Sequence, residues 1–579
     1  MWKSLATLRP YLWRYRGGMA IGLLCLVIKD FASAAQPLMI GDTIDALTRA
    51  LPGNQFARYA AYLVALAILQ GIFQYWMRVI IIGISRDIEY DLRNDLFGHL
   101  VSLSPDYYHR TRTGDIMARA TNDLNAVRMM LGPGVMYWVE TSLTFVLALA
   151  VMVSRDWRLA FLSILPAPAV SLAVIFFGRI IHTEFERIQA KFSDISSRVQ
   201  ENLAGVRMVR AFAQEEAELR RFEALNKQYI AQNLKLVRIQ GLFQPLLEAL
   251  VGVTFLVVLW AGGYQVLRGR ITLGSFIMFN TYMGKLVWPM IALGWVVNLM
   301  QRGSASLGRI NQIFDEKPTI AAPAAAAPLN GVRGEIELRG VFMNYGGGDA
   351  LDRIDLRIPA ASTIAVVGHT GSGKSTLVSL VPRLMDPSRG KVLLDGAELR
   401  TLDPAALRRH IGFVPQETFL FSATIAENIA FGVDGATAEE IRRAAELAGL
   451  AGDIEGFPAG YETMVGERGI TLSGGQKQRT AIARAILRNP AILILDDALS
   501  SVDTLTEERI LNRLEAVMRG RTVILISHRV STVKNADRII VLDHGRIVES
   551  GTHAELLALG GYYASLSQKQ MLEEELEAI

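Results

Sequence analysis

Apolar positions in the first half of this chain come in long, nearly unbroken runs, whereas in the second half they come in short bursts between polar stretches. Six runs, roughly Gly18–Ile40, Ala57–Ile82, Gly132–Val153, Leu159–Ile181, Leu246–Leu267 and Ser275–Met300, are long enough to cross about 30 Å of hydrocarbon as helices. Placing the N-terminus inside leaves about twenty Lys and Arg in the inner segments and about four in the outer loops, the asymmetry expected of a cytosolic side. The leading stretch "MWKSLATLRPYLWRYRGGMA" enters a run too long for a signal-peptide core, so no cleavable signal is expected. Outer connections after the third and fifth runs are short. The two inner ones, Ser85–Leu131 and His182–Phe243, are long, polar and spaced at three to four residues. That pattern predicts spans two to five continuing into the cytosol as helical rods.

The rhythm changes near Phe314. "DEKPTIAAPAAAAPLNGVRGE" has the Pro and Ala content of a semi-stiff linker without a core of its own. From Glu335 onward "STIAVVG", "RHIGFVPQ", "AILILD" and "TVILIS" alternate with helical patterns, which predicts a largely parallel sheet covered by helices. The expected organisation is a transmembrane domain over 1–315, a linker over 316–334 and a soluble domain over 335–579.

Composition adds little. A net charge of +4 over 579 residues argues only weakly for an anionic partner, and no nucleic acid is expected. The lone Cys25 excludes an internal disulfide framework. Charged residues inside the spans matter more: Lys29, Asp30, Arg78, Glu140, Glu248 and Lys285 are costly in hydrocarbon and are expected to face protein or a wet cavity. Lys29 and Asp30 are sequence neighbours about 100° apart on a helix, so they need not pair with each other. Pro37, Pro166, Pro168, Pro245 and Pro289 are candidate kinks.

The chemistry lies in the second half. "STIAVVG" runs into "GHTGSGKST", which satisfies G-x-x-x-x-G-K-[ST] over Gly368, His369, Thr370, Gly371, Ser372, Gly373, Lys374, Ser375 and Thr376. Glycines let backbone N–H groups approach phosphate oxygens, and the helix expected over Lys374–Leu384 aims its positive end at the same anion. Lys374 suits the outer phosphates and Ser375 a Mg²⁺ ion. "AILILD" supplies the acid, Asp496, that would hold the same ion.

A third string, "LSGGQKQR" at Leu472–Arg479, resembles the signature of ATP-binding cassette (ABC) proteins. Other marks follow in family order. Tyr345 resembles the aromatic that stacks on adenine, and Gln416 the glutamine that touches Mg²⁺ and reports to the membrane domain. "VGERG" at Val465–Gly469 resembles a contact loop of ABC exporters. Asp503 closes the "SSVD" loop, and His528 resembles the switch histidine near the γ-phosphate. The membrane half, with "YYHRTRTGDIMARATND" at Tyr107–Asp123 and "ENLAGVRMVRAFAQEE" at Glu201–Glu216, looks like a multidrug-type half-exporter with two coupling loops.

The resemblance implies a six-helix transmembrane domain with cytosolic extensions, fused to an α/β P-loop nucleotide-binding domain with a helical subdomain. It implies ATP and Mg²⁺ as ligands, residence in the cytoplasmic membrane, and export of hydrophobic or amphipathic compounds. Leu472, Ser473, Gly474, Gly475, Gln476 and Asp503 would complete the ATP site of a second half-transporter. Asp497, Gln416 and His528 would serve hydrolysis. Asp497 departs from the family, where Glu is usual: the carboxylate is one methylene shorter and a somewhat weaker base. That pattern resembles the slow-site subunit of heterodimeric exporters, paired with a partner that carries Glu. The alternatives are a homodimeric exporter or flippase working with Asp, and an ATP-gated channel or regulator.

Overall fold

A computed structural model describes residues 5–48, 53–329, 331–346, 348–466, 472–502 and 504–577. Of the expected site, Asp503 and the Glu467–Gly469 part of "VGERG" lie outside the described residues. The chain divides into two compact units, Met1–Val101 with Arg112–Glu316, and Ser102–Thr111 with Lys317–Ile579.

In the first unit six long helices carry the apolar runs: α1 Arg16–Thr48, α2 Phe56–Ser102, α3 Thr113–Arg155, α4 Trp157–Ala204, α5 Glu215–Leu267 and α6 Leu273–Asp315. Only 11% to 33% of each apolar window is buried within the chain. Helices apolar nearly all round need lipid or another subunit against the remaining faces. Helices α2 to α5 run far past their apolar cores at one end, as the spacing of polar residues predicts. Helix α6 also continues beyond Met300, because Leu307, Ile310 and Ile313 keep a buried three-residue spacing.

The prolines act unequally. Pro37, Pro245 and Pro289 sit inside uninterrupted helices, whereas Pro166 separates Trp157–Ile164 from Ala167–Ala204 within α4. Helix α3 contains two π-helical segments, Arg119–Asp123 and Met130–Gly134, the second around Pro133, whose missing N–H interrupts the regular ladder.

The 100° offset left pairing of the neighbouring charges open, and the structure shows it. Lys29 and Asp30 do pair: Lys29 Nζ lies 2.8 Å from Asp30 Oδ1 and 2.5 Å from Glu140 Oε1. A long lysine stem reaches back past its neighbour, so the 100° offset between Cβ directions does not decide the contact. Among the described residues Lys285 pairs with no carboxylate; it donates to Ser33 Oγ at 2.9 Å and Gln36 Oε1 at 3.3 Å. Arg78 and Glu248 stand exposed on the single chain.

The second unit holds two sheets rather than one. Strands β1 (Ile336–Asn344), β2 (Asp349–Ile358), β4 (Arg389–Leu394) and β5 (Ala397–Glu398) form an antiparallel sheet in the order β2-β1-β4-β5. Its strands alternate buried and exposed residues, a weaker signal than a continuous apolar run. The other sheet has the order β10-β9-β3-β8-β7-β6, with β3 Thr363–Val367, β6 Ile411–Val414, β7 Ile492–Asp496, β8 Thr522–Ile526, β9 Arg538–Asp543 and β10 Arg546–Gly551. All its pairs are parallel except β9 with β10.

The Pro/Ala segment is not a free tether. Ala327 N donates to Thr401 O at 2.9 Å, and the Asp395 carboxylate accepts from the N–H groups of Arg333, Gly334 and Glu335. Backbone pairing and the partly buried Ala327, Leu329 and Val332 seat this segment on the β1–β4 core. The helix after the phosphate loop is also shorter than expected, Lys374–Ser379. Pro382 cannot donate to the carbonyl four residues back and disfavours helix at Val381, so the chain turns there.

Candidate functional site

Three parallel strands end on one register row. Val366 of β3 and Asp496 of β7 both face Ile526 of β8. The chain therefore leaves the sheet at Gly368, Asp497 and Ser527–His528 side by side, the edge where parallel sheets bind ligands.

The loop after β3 takes conformations that only glycine adopts without strain. Gly368 has φ 150° and Gly373 φ 101°. A Cβ would stand 2.0 Å from Leu542 O at Gly368 and 2.4 Å from Ala350 O at Gly373. Around this loop Lys374 folds back so that Nζ donates to Gly368 O at 2.9 Å and His369 O at 2.7 Å. Burial lowers its pKa, opposed by the charges of Asp496 and Asp497. Asp496 is only 3% exposed, and burial raises its pKa, against a hydrogen bond from Ser375 and assisted by repulsion from Asp497. A buried lysine near a buried acid, with no direct ion pair between them among the described residues, fits a site that receives phosphate and a cation. The Ser372 hydroxyl, buried without a hydrogen-bond partner, adds an orphaned donor in the same loop.

Lys374 and Asp496 line a cavity of about 190 Å³ together with Thr370, Gly371, Gly373, Ser375, Thr376, Gln416, Asp497 and His528, whereas Gly368, His369 and Ser372 do not line it. The residues fit a magnesium–triphosphate: a hydroxyl (Ser375), an amide oxygen (Gln416) and a carboxylate (Asp496) are the hard oxygen ligands Mg²⁺ takes alongside phosphate oxygens. No cluster of three His, Cys, Asp or Glu side chains that could hold a metal alone exists among the described residues. Tyr345 lies instead on a larger cavity of about 710 Å³ with Asn344, Met385, Asp386 and the short helix Pro105–Arg110. Its hydroxyl stands 3.4 Å from Thr376 Oγ1, so this second hollow adjoins the far end of the phosphate loop. Its exposed ring is available for stacking.

Asp497 has φ +50°, the left-handed region. Its N–H donates to Ile526 O at 3.0 Å, which holds the turn. Asp and Asn tolerate this conformation better than longer side chains, so local geometry is compatible with the residue present.

The signature residues line neither cavity. Ser473 caps the helix Gly474–Leu487: Gln476 N donates to its hydroxyl at 3.3 Å, and Ser473 N donates to Gln476 Oε1 at 3.0 Å. Leu472 is buried at the start of this turn. Gly474 and Gly475 press on the loop after β7, where a Cβ would meet Ser501.

Sequence reasoning missed the ties that hold these loops. Gln478 Nε2 donates to Ser500 Oγ at 2.9 Å, and its Oε1 accepts from Ser501 N at 2.9 Å, joining the signature helix to the loop after Asp497. Glu507, 3% exposed, pairs with Arg529 and accepts from Thr532, and Arg529 also donates to Val502 O at 3.1 Å. An acid at a buried position of an amphipathic helix was the available signal.

Comparison with known proteins agrees with this arrangement. Family models for the ABC transporter transmembrane region and the ABC transporter match residues 19–290 and 351–500. The chain is 37% identical over 570 residues to the Bacillus subtilis (strain 168) protein named "Probable multidrug resistance ABC transporter ATP-binding/permease protein YheI", covering 97% of this chain and 96% of that one. It is 37% identical over 569 residues to the multidrug resistance-like ATP-binding protein MdlA of Escherichia coli (strain K12), covering 97% and 95%. It is 35% identical over 574 residues to an ATP-dependent lipid A-core flippase of Syntrophus aciditrophicus (strain SB), covering 99% and 95%. A bacterial Atm1-family ABC exporter solved with ATP bound superposes with a TM-score of 0.80 at 29% identity, covering 96% of this chain and 99% of that one. Similarity of this extent, over both halves and in one order, makes the chain a member of the ABC transporters: a multi-pass membrane protein of the exporter type, whose ATPase domain is coupled to transport.

Proposed function

We propose that this chain is one half of a dimeric exporter that moves hydrophobic or amphipathic compounds, such as drugs, lipids or peptides, outward across the cytoplasmic membrane. In this reading the N-terminus and the nucleotide domain lie in the cytosol. The observation that carries it is the split within the nucleotide unit: the phosphate loop, Gln416, Asp496, Asp497 and His528 line one cavity, and the signature of the same chain does not. A site lacking its signature half needs a second chain. Ser473 to Gln476, with Asp503, would then face the γ-phosphate held by the partner's loop, and the reciprocal contact would close over Lys374. The names of the relatives, multidrug resistance proteins and a lipid flippase, support the substrate class.

Within this site Lys374 neutralises the outer phosphates, and Tyr345 offers a stacking face for adenine. A bound Mg²⁺ would be held by Ser375, Gln416 and Asp496 and would supply charge neutralisation at the β- and γ-phosphates. Asp497 stands where a base would orient the attacking water, and His528 where a donor would meet the γ-phosphate. Shortening the base by one methylene misplaces the carboxylate by about 1 Å, which can cost on the order of 100-fold in rate. The site on this chain is therefore the slow one of two, and its partner carries Glu at the matching position.

A second reading rests on the left-handed backbone at Asp497, which suits Asp in a homodimer that hydrolyses at both sites. Purification of the tagged chain from its own host separates the two. A co-purifying half-transporter with Glu at that position, and ATP-driven uptake of an amphipathic dye into inside-out vesicles, are expected. A stable complex of this chain alone that pumps would favour the homodimer. Passive, nucleotide-gated flux would remove pumping altogether.

A further inference from the structure

The switch histidine is exposed, and its imidazole makes no hydrogen bond among the described residues. Its position therefore depends on the peptide that carries it. That peptide is gripped by a residue far along the chain. Gln570, on the helix Tyr562–Glu577, donates through Nε2 to His528 O at 2.5 Å and accepts through Oε1 from Val530 N at 2.7 Å. The two contacts use the donor and acceptor ends of one side-chain amide against one loop, which fixes the loop's height and rotation together. Other anchors flank it: Arg529 N donates to Ser527 Oγ at 3.0 Å, and the Arg529 side chain is committed to Val502 and Glu507. Among the described contacts, only Gln570 bonds the His528 carbonyl.

The same helix reaches the other side of the cavity. The Tyr562 ring meets the His369 ring of the phosphate loop edge to face, with centroids 4.5 Å apart. Eight residues separate Tyr562 from Gln570, about 12 Å of helix axis. The helix is seated firmly for this task. Tyr563 is fully buried and its hydroxyl lies 2.7 Å from His553 Nδ1, while Glu549 accepts from the N–H groups of Tyr562 and Tyr563.

We infer that Gln570 is a positioning residue for ATP hydrolysis: the C-terminal helix spans from the phosphate loop to the switch loop, and Gln570 sets where His528 stands. This rests on the proposed role of His528 near the γ-phosphate. Gln570 lines neither cavity; it acts through the His528 peptide.

The test uses the assembled transporter in lipid, in its native form and with Asp497→Glu, keeping whichever form loses turnover when His528→Ala is introduced. In that form Gln570→Ala is expected to lower kcat about tenfold with KM changed less than twofold, since a shifted donor costs rate rather than ground-state binding. Gln570→Glu keeps the acceptor for Val530 N but sets a carboxylate against the His528 carbonyl. Its deficit is expected to shrink toward acid pH, where the protonated acid can donate. Adding Gln570→Ala to His528→Ala should cost nothing further, as for two residues acting as one unit. Unchanged kcat in Gln570→Ala, or an undiminished loss in the His528→Ala background, overturns the inference. His528→Ala being silent in both forms would instead remove the reading on which it rests, and that single variant tells the two failures apart.

Discussion

The two units of this chain encode their polar chemistry differently. In the nucleotide unit the groups proposed to meet phosphate come from loops at the ends of adjacent parallel strands, and register alone brings Gly368, Asp496 and His528 together. In the membrane unit Lys29, Asp30 and Glu140 meet across two helices more than a hundred residues apart, and nothing in either helix alone announces the meeting. A loop motif carries its own geometry; a helix face acquires its meaning from whatever packs on it.

This contrast breaks most visibly on the membrane side. Lys29→Met would leave Asp30 and Glu140 without their shared cation, and removing one partner of a buried ion pair costs on the order of 3–5 kcal/mol. Thermal unfolding in fixed detergent and lipid should show that loss, whereas replacing all three by apolar residues of similar volume should recover most of it. Equal melting of the single and triple variants would mean the charges are solvated by a wet cavity.

The next effect falls on the nucleotide unit. Lys374→Ala removes the cation proposed to neutralise the outer phosphates, so turnover at this chain's site should fall on the order of 10²–10³-fold. The fold should survive, because among the described residues Lys374 Nζ bonds only two carbonyls of its own loop. Loss of folding would move the residue from chemistry to structure.

Smaller again is the signature cap. Ser473→Ala deletes the capping hydroxyl and should destabilise the unit by about 1 kcal/mol. Its effect on turnover should exceed that of the same cap lost at Thr437, which also forms a capping box but lines neither cavity.

A pH effect sharpens the comparison last. Burial raises the folded pKa of Asp496, so the unfolded chain releases this proton first. Stability from this residue is lost as pH rises from about 4, the ordinary carboxylate value, through the raised folded value. In the absence of nucleotide, Asp496→Asn should melt above wild type at neutral pH, with the gap closing toward acid. A gap that widens toward acid would reverse the sign and contradict a buried, unneutralised carboxylate.

Much of this was legible. Six apolar runs became six long helices, and the glycine loop, Gln416, Asp496 and His528 converge on one cavity. What escaped reading is what depends on distant partners. The antiparallel sheet of β1, β2, β4 and β5 gives only a half-buried alternation. The Pro/Ala segment read as a semi-stiff linker without a core because its hydrogen-bond partners, Thr401 and Asp395, lie some sixty residues or more downstream. Gln478, Glu507 and Gln570 carry no motif of their own; they matter through the loop each one holds.

The central claim is that two ATP molecules are clamped between two chains and that the site on this one is slow. A single-turnover chemical-quench measurement on the assembled, lipid-embedded transporter tests it directly, after loading both sites with ATP labelled at the γ-phosphate. Two phases of equal amplitude are predicted, the slower by on the order of 100-fold. One fast phase that consumes all bound ATP, or full-speed turnover by a lone chain, would contradict it.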